Sequence, residues 1–493
     1  MRRSVRREGG QQKQHETAVR EGPRGRDGLE RKLVRSMDKF FKLTERGTNL
    51  RTEVLAGVVT FMTMAYIIFV NPGLLSAAFG VDAAAQAAWI PALATATTLG
   101  AGVMCLAMGL FANRPFALAS GMGLNAVVAF SIIIGLKVPW QVGMSVIFVE
   151  GIVILLLVLT GLREAVMNAI PLNLKRAIGV GIGLFITFIG LVDGKIVVAN
   201  PATLVALGDF TQPAVWVTLI GLIAIMAFMA FKIKGDILWG ILVATLAALL
   251  LGVTKLPTSI VAPLDFRTFA APFQTVDGGG MAIMQLFTGA LAPTLLLFVF
   301  ATMLSDFFDT MGTVLSIGEQ AGFVDDKGQV PGIRSILTVD SIAAAVGGFF
   351  GASSITTYIE SASGVAEGGR TGLTSIVVGI LFLISAFFSP IIAMVGGSGT
   401  ITAGALIIVG FLMMETVREI PWMDFENAFP AFLTIVGIPL TYNISYGIGL
   451  GFISFCLIKV FHGKVKEIHW LMWVVSALFV VTFIMPLIQK LVG

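Results

Sequence analysis

Pro115-Phe116-Ala117-Leu118-Ala119-Ser120-Gly121-Met122-Gly123-Leu124-Asn125 and Ser354-Ile355-Thr356-Thr357-Tyr358-Ile359-Glu360-Ser361-Ala362-Ser363-Gly364 are apolar enough to lie in a membrane, yet neither reads well as a whole helix. Each begins with residues suited to extended backbone, the second with β-branched ones, and each then meets a Ser/Gly cluster of the kind that starts a helix. Non-helical backbone at membrane depth must be enclosed by protein or line a water-filled cavity. Two short strands crossing near the midplane, each feeding a half-helix whose N–H groups are directed at a ligand, meet that requirement. Small-residue packing between close helices is the competing explanation, and the recurrence of the pattern in both halves of the chain weighs against it.

The surrounding composition agrees with a membrane setting. The 493 residues are 56% hydrophobic and 13% charged, against about 25% charged in a soluble globular chain. This excludes a soluble enzyme and a disordered protein, and leaves a polytopic helical membrane protein. Two cysteines exclude a disulfide framework or a Cys-built metal site. The histidines, His15, His462 and His469, all lie in polar stretches, which excludes an intramembrane His-built metal or haem centre.

Charge is unevenly placed. Residues 1–52 hold 15 Lys and Arg against 7 Asp and Glu, whereas residues 53–493 hold 18 against 22. Residues 1–36 have no hydrophobic periodicity and are expected to be disordered; without an apolar run after the arginines they do not form a signal peptide. Candidate spans begin near 53, 89, 116, 141, 174, 213, 236, 284, 334, 355, 373, 400, 426 and 443, and a further apolar stretch covers 468–489. Basic residues at Arg114, Arg163/Lys175/Arg176, Lys232/Lys234, Lys327/Arg334, Arg370 and Arg418 fall in alternate loops; the opposite loops are sparser, with Lys137, Lys195, Lys255 and Arg267 as exceptions. The positive-inside rule puts the more basic loops, and the N-terminus, in the cytoplasm, as expected for a multi-pass protein of the plasma (inner) membrane.

The chain also matches itself at an offset of 239 residues. Phe61-Met62-Thr63-Met64 aligns with Phe300-Ala301-Thr302-Met303, Phe69 with Phe308, Gly73 with Gly312, Gly109 with Gly348 and Phe111 with Phe350. Seven crossings separate the matched spans. The halves are therefore expected upside down relative to each other, an arrangement typical of alternating-access carriers.

Five acids fall inside apolar segments: Glu150, Asp306, Asp309, Asp340 and Glu360. A charged acid at a helix centre costs roughly 2.5–3.5 kcal/mol on insertion scales, and no Lys or Arg lies within these segments. Asp306 and Asp309, three apart with Thr313 on one helix face, are not both expected to ionise. Groups poised in this way suit proton-coupled transport. Glu150 reads as a helix tie, Asp306 and Asp340 as either ties or coupling acids, and Asp309 and Glu360 as functional. Asn125 can both donate and accept, and Phe308, Phe116 or Tyr358 could stack a flat ring. Paired carboxylates accept N–H donors well, which suits a planar heterocycle such as a nucleobase.

Asp306-Phe307-Phe308-Asp309-Thr310-Met311-Gly312-Thr313, taken with Thr357-Tyr358-Ile359-Glu360-Ser361 and Gly121-Met122-Gly123-Leu124-Asn125, resembles the AzgA-like purine permease branch of the nucleobase–ascorbate/nucleobase:cation symporter superfamily. Arg370-Thr371-Gly372 after Gly368-Gly369, and the opening Gly47-Thr48-Asn49-Leu50-Arg51-Thr52-Glu53, fit the same branch. The resemblance runs from about Met37 to about Val460. It implies an all-α polytopic fold of 14 spans in two inverted repeats of seven, with short strands in spans 3 and 10. The implied division is a cytoplasmic tail (1–50), a first repeat (51–255, core spans 1–4 and gate spans 5–7), a second repeat (256–462, core spans 8–11 and gate spans 12–14) and a C-terminal apolar segment (463–493).

The resemblance further implies proton symport of adenine, guanine or hypoxanthine. Glu360, Asp309 and Asn125, with Phe308, Ser361 and Gly121, would bind the purine, and Asp309, Glu360, Asp306 and Asp340 would serve the coupling proton. No cofactor, metal or nucleic acid is expected; lipid is, and a homodimer is compatible with the fold. An anion carrier of sulfate or bicarbonate type on the same architecture is the alternative, although it calls for a cation where Glu360 stands. A P-loop, an intramembrane Ser/His arrangement and a soluble domain are all missing from the sequence, which argues against a pump, an enzyme or a receptor.

Overall fold

The computed structural model describes residues 37–161, 171–276, 279–324 and 330–492, with the side chains of 308, 315, 482 and 485–492 left aside. The expectation of a disordered tail over 1–36 lies outside the described residues. In chain order the helices are α1 (Leu50–Met64), α2 (Ile67–Phe79), α3 (Ala83–Ala107), α4 (Met122–Ala126), α5 (Trp140–Thr160), α6 (Leu172–Asp193), α7 (Pro213–Ala230) and α8 (Asp236–Leu250). There follow α9 (Ala292–Gln320), α10 (Ile333–Phe350), α11 (Ser361–Ala366), α12 (Gly372–Ser385), α13 (Ser389–Gly396), α14 (Gly399–Met413), α15 (Phe425–Thr441), α16 (Ile444–Phe461) and α17 (Trp470–Val492). Among the described residues, ten helical stretches are long and apolar enough to cross a membrane, and four shorter apolar helices accompany them.

Among the described residues, six short strands interrupt the helices: β1 (Leu118–Ser120), β2 (Val197–Asn200), β3 (Leu204–Leu207), β4 (Thr275–Val276), β5 (Gly280–Met281) and β6 (Ile355–Thr357). The extended starts expected in the two broken segments are therefore present. The β2–β3 and β4–β5 ribbons, both between helices, are additional to the strands expected in spans 3 and 10. The span expected to start near 284 begins instead at Ala292. Gly289 takes a left-handed φ of +86° and Pro293 occupies the first helical turn, so the chain turns there before it can wind. The apolar stretch after 468 forms α17, which packs on α16.

The helices pack in two sets. α1, α2, α3, α12 and α13 lie together, with α5, α9 and α10 against them; α6, α7, α8, α14, α15 and α16 form a second set. Small residues permit the close approaches, as is usual where no hydrophobic gain drives helix association in lipid. A Cβ at Gly372 would meet the Gly109 carbonyl oxygen, and one at Gly410 the Gly183 carbonyl oxygen.

The two outer stretches singled out in the sequence meet at one end of the first set. Asn49 caps α1 by accepting the Thr52 N–H at 3.0 Å. One turn on, fully buried Glu53 reaches the start of α12. It accepts from the Arg370 N–H at 2.8 Å, the Thr371 N–H at 3.3 Å, the Thr374 N–H at 3.2 Å and the Thr374 hydroxyl at 2.6 Å. A carboxylate on the free N–H groups of a helix start satisfies those donors and the helix dipole together. Arg46 adds bonds to the carbonyls of Asn113 and Arg370.

Glu53→Ala strands several of these donors, each at about 1–3 kcal/mol. Thermal unfolding of the detergent-solubilised protein should show a clearly lowered midpoint, with Glu53→Gln intermediate; an unchanged midpoint for Glu53→Ala would contradict this role.

Candidate functional site

β1 and β6 pair antiparallel, with Leu118 opposite Thr357, Ala119 opposite Thr356 and Ser120 opposite Ile355. The ladder is extended at both ends: Gly121 N–H donates to the Ser354 carbonyl at 2.8 Å, and Tyr358 N–H to the Ala117 carbonyl at 2.9 Å. All six strand residues are buried. The pairing supplies the backbone partners that extended chain needs away from water. Strands of three residues cannot hold themselves together, so side chains fasten them from outside.

Asp340 of α10 is the main fastening. Its carboxylate accepts from the Thr357 N–H at 2.8 Å, the Thr357 hydroxyl at 2.7 Å and the Thr310 hydroxyl at 2.7 Å. Thr310 also meets the Thr356 hydroxyl at 2.8 Å. From the other chain segment, the Tyr358 hydroxyl donates to the Ser120 carbonyl at 2.5 Å, and the Ser361 hydroxyl accepts from the Ala117 N–H at 2.9 Å. Asp340 and Ser361 thus hold the crossing. Phe116 and Tyr358, considered above as stacking platforms, are buried in the core. Phe308 lies on α9, but its side chain is outside the described ones. Gly121 is the last residue before α4, and a Cβ there would press on the Thr356 methyl at 2.9 Å.

The half-helices differ from expectation in one respect. The first N–H groups of α11 are engaged locally: Ser361 donates to Tyr358, Ala362 to Ile359 and Ser363 to Glu360. They close a tight turn. What α11 presents at the break is therefore the Glu360 side chain. Glu360 is half-buried, and its carboxylate accepts from the Tyr66 hydroxyl at 2.7 Å. Tyr66 stands where α1 gives way to α2. Sequence reasoning missed it; the available signal was that it is one of only four tyrosines in the chain and lies within an apolar span.

α9 packs against β6, α4 and α11, bringing its acids beside the crossing. Asp309 is exposed, and so are Gly312, Ser316, Glu319 and Gln320. These fall on one face at helical spacing, and every one except glycine is polar. Such a stripe lines water rather than lipid. Toward the start of α9, residues 301–304 are buried, so the stripe opens only toward Gln320. Arg114, whose guanidinium donates to the Pro331 carbonyl at 2.5 Å and lies 4.6 Å from the centre of the Phe323 ring, stands at that end. Burial, and then the adjacent Arg46 charge, push it down to about 10, so it stays protonated at neutral pH.

Asn125, on α4, is fully buried, and neither its amide nitrogen nor its oxygen has a partner. A buried amide with both ends unmet is costly and is suited to a ligand. Asp306 is buried too; Ser354 donates to one oxygen at 3.4 Å and the other is unpartnered. Of the expected site residues, Glu360, Asp309 and Asn125 therefore retain capacity for a ligand, whereas Asp340 already accepts three hydrogen bonds at the crossing. No group of His, Cys, Asp or Glu able to hold a metal occurs among the described residues.

The stripe is open to a chemical test. With the buried native cysteines Cys105 and Cys456 replaced, Gly312→Cys and Ser316→Cys should react with a hydrophilic maleimide. Val314→Cys and Ile317→Cys, whose native side chains are buried, should react at least tenfold more slowly. Equal rates at all four positions would rule out the stripe as an aqueous wall.

Comparison with known proteins gives the family. The Xan_ur_permease profile, described as a permease family, matches residues 51–450. The adenine permease AdeP of Escherichia coli K12 is 40% identical over 448 residues, covering 91% of this chain and 96% of its own. The guanine/hypoxanthine permease PbuG of Bacillus subtilis is 40% identical over 450 residues, covering 91% and 99%. In fold, the transmembrane domain of the cyanobacterial bicarbonate transporter BicA is similar, with a TM-score of 0.59 at 16% identity, covering 81% of this chain and 97% of its own. The chain is a multi-pass membrane protein and belongs to this permease family.

Proposed function

We propose that this protein is a secondary carrier that takes up purine nucleobases together with protons by alternating access. The observation that carries the reading is the gathering around the β1–β6 crossing of two reachable carboxylates, Glu360 after β6 and Asp309 on α9, and the unmet amide of Asn125 after β1. A purine edge offers N–H donors to carboxylates and both donors and acceptors to an amide. The adenine and guanine/hypoxanthine permeases among the relatives support the same substrate class. Glu360 and Asp309 bind the purine and respond to the proton; Asn125 completes the recognition, and Tyr66 orients Glu360. Asp340 and Ser361 serve the site by holding the crossing.

The architecture behind this reading has fourteen spans up to Phe461. Ten are the long stretches; Met122–Ile134, Asp236–Leu250 and Phe425–Thr441 are shorter helices, and β6 with α11 makes the last. α17 is an addition. The half-helices begin at Met122 and Ser361, the same 239-residue offset found in the sequence, and β1 and β6 run antiparallel. Both features support inverted repeats. The two packing sets then serve as core and gate. On the positive-inside rule, the open end of the α9 stripe, beside Arg46, Arg114 and Arg370, is cytoplasmic, which corresponds to an inward-open state. Anion carriage has the BicA-like fold in its favour, but carboxylates at the reachable positions repel an anion.

Labelled purine uptake into cells tests the assignment. Glu360→Ala and Asp309→Ala should reduce uptake at least a hundredfold at normal membrane levels, and Asn125→Ala should raise KM severalfold with a smaller change in kcat. A protonophore should abolish accumulation. Near-normal uptake in both acid variants, or saturable sulfate uptake without purine uptake, would refute the reading.

A further inference from the structure

Glu150 stands at the midpoint of α5 with no exposed surface, and neither carboxylate oxygen has a hydrogen-bond partner. Its surroundings are not those of a helix tie. The groups that act on it are Thr302 and Asp306 of α9 and Asp340 of α10. On Asp306, which has an unmet oxygen of its own, the acting groups are Glu150, Asp340, Asp309 and Thr356. No cation is among either set.

The elements packed on α5 are α9, α10, the 3-10 turns at 271–273 and 282–286 and the helical stretch 127–134. Their charged residues are Asp306, Asp309 and Glu319 on α9, and Arg334 and Asp340 on α10; the turns and 127–134 carry none. Arg334 is at the far end of α10, where it donates to the Leu159 carbonyl. Close helix contact seals the space: a Cβ at Gly151 would strike the backbone of Ala345, and one at Gly348 the backbone of Phe148. Two buried carboxylates on packed helices, with unmet oxygens and no cation among the groups acting on either, are tolerable only with a proton between them.

We propose that Glu150 and Asp306 are the storage site of the coupling proton, behind the strand crossing and out of reach of the purine. Asp340, saturated by three donors, takes no part. Asp306 is linked to the purine site because Asp309, three residues along the same helix, acts on it directly. With the purine's N–H donors holding Asp309 as a carboxylate, whose charge favours protonation of Asp306, the Glu150–Asp306 pair, which already shares one proton, takes up a second, its charge passing from −1 to 0. It releases the same proton once the site has opened to the other side and the purine has left. Glu150 is thus a positioning and coupling residue, and the idea rests on the proton–purine symport proposed above.

The test uses the full-length protein in sealed liposomes with labelled adenine and guanine. Two readouts are compared: purine counterflow without a pH gradient, and accumulation driven by an imposed gradient, with purine-evoked proton entry followed by an internal pH dye. Wild type should show both. Glu150→Gln should keep counterflow within about threefold while losing at least tenfold in gradient-driven accumulation and in protons per purine, and its counterflow should be flat across pH 5–8. Glu360→Gln should lose both readouts.

If Glu150→Gln does not reach the membrane, Asp306→Asn, which breaks the same pair from its other side, carries the test with the same expectation. A wild-type proton-to-purine ratio in the variant, or a parallel loss of counterflow and accumulation, would overturn the proposal, as would accumulation driven by sodium instead of protons. Failure of the wild type to move purines at all would instead sink the symport reading itself.

Discussion

The structure depends on the satisfaction of six strand residues' backbone groups at membrane depth. β1 and β6 meet that need by pairing with each other, and every additional bond at the crossing extends or pins this pairing. A lone extended segment at this depth would leave donors and acceptors unmet at several kcal/mol each. Each half of the chain therefore requires the other, and the two half-helices are delivered to one place. Asp340, Thr310, Tyr358 and Ser361 all make hydrogen bonds that pin the crossing.

Seen from that crossing, the intramembrane acids separate by what surrounds them. Asp340 has its donors at the crossing. Asp309 is exposed along one polar helix face, and Glu360 is half-buried and bonded by Tyr66. Glu150, with both oxygens unmet, and Asp306, with one, are buried. Acids of one residue type thus carry different roles because of their partners and exposure. Glu53 extends the pattern to the helix ends: its carboxylate joins the start of α1 to the start of α12 and brings the two outer sequence motifs into a single contact.

Much of the fold was legible in the sequence. Apolar length located most helix starts to within a few residues, because burying the backbone in hydrocarbon leaves little choice of structure. The strands at 118–120 and 355–357 were legible because β-branched residues and Ser/Gly clusters do not suit a helix interior. The start of α9 was not, since a left-handed glycine and a proline override hydropathy there. The β2–β3 and β4–β5 ribbons were missed because short hairpins between helices carry almost no periodic signal. At the site, Glu360, Asp309 and Asn125 could be picked out as polar residues placed in or beside breaks. Tyr66 and the environment of Glu150 could not, because their partners lie hundreds of residues away and only packing brings them together.

The central claim is that the reachable carboxylates beside the crossing receive the purine. A cryo-EM structure of the full-length protein with adenine or guanine bound tests it most directly. The account predicts ligand density between Glu360 and Asp309, within hydrogen-bond distance of both carboxylates and of the Asn125 amide, with the β1–β6 pairing intact. Density that touches neither carboxylate, or a purine held elsewhere in the membrane domain, would contradict it.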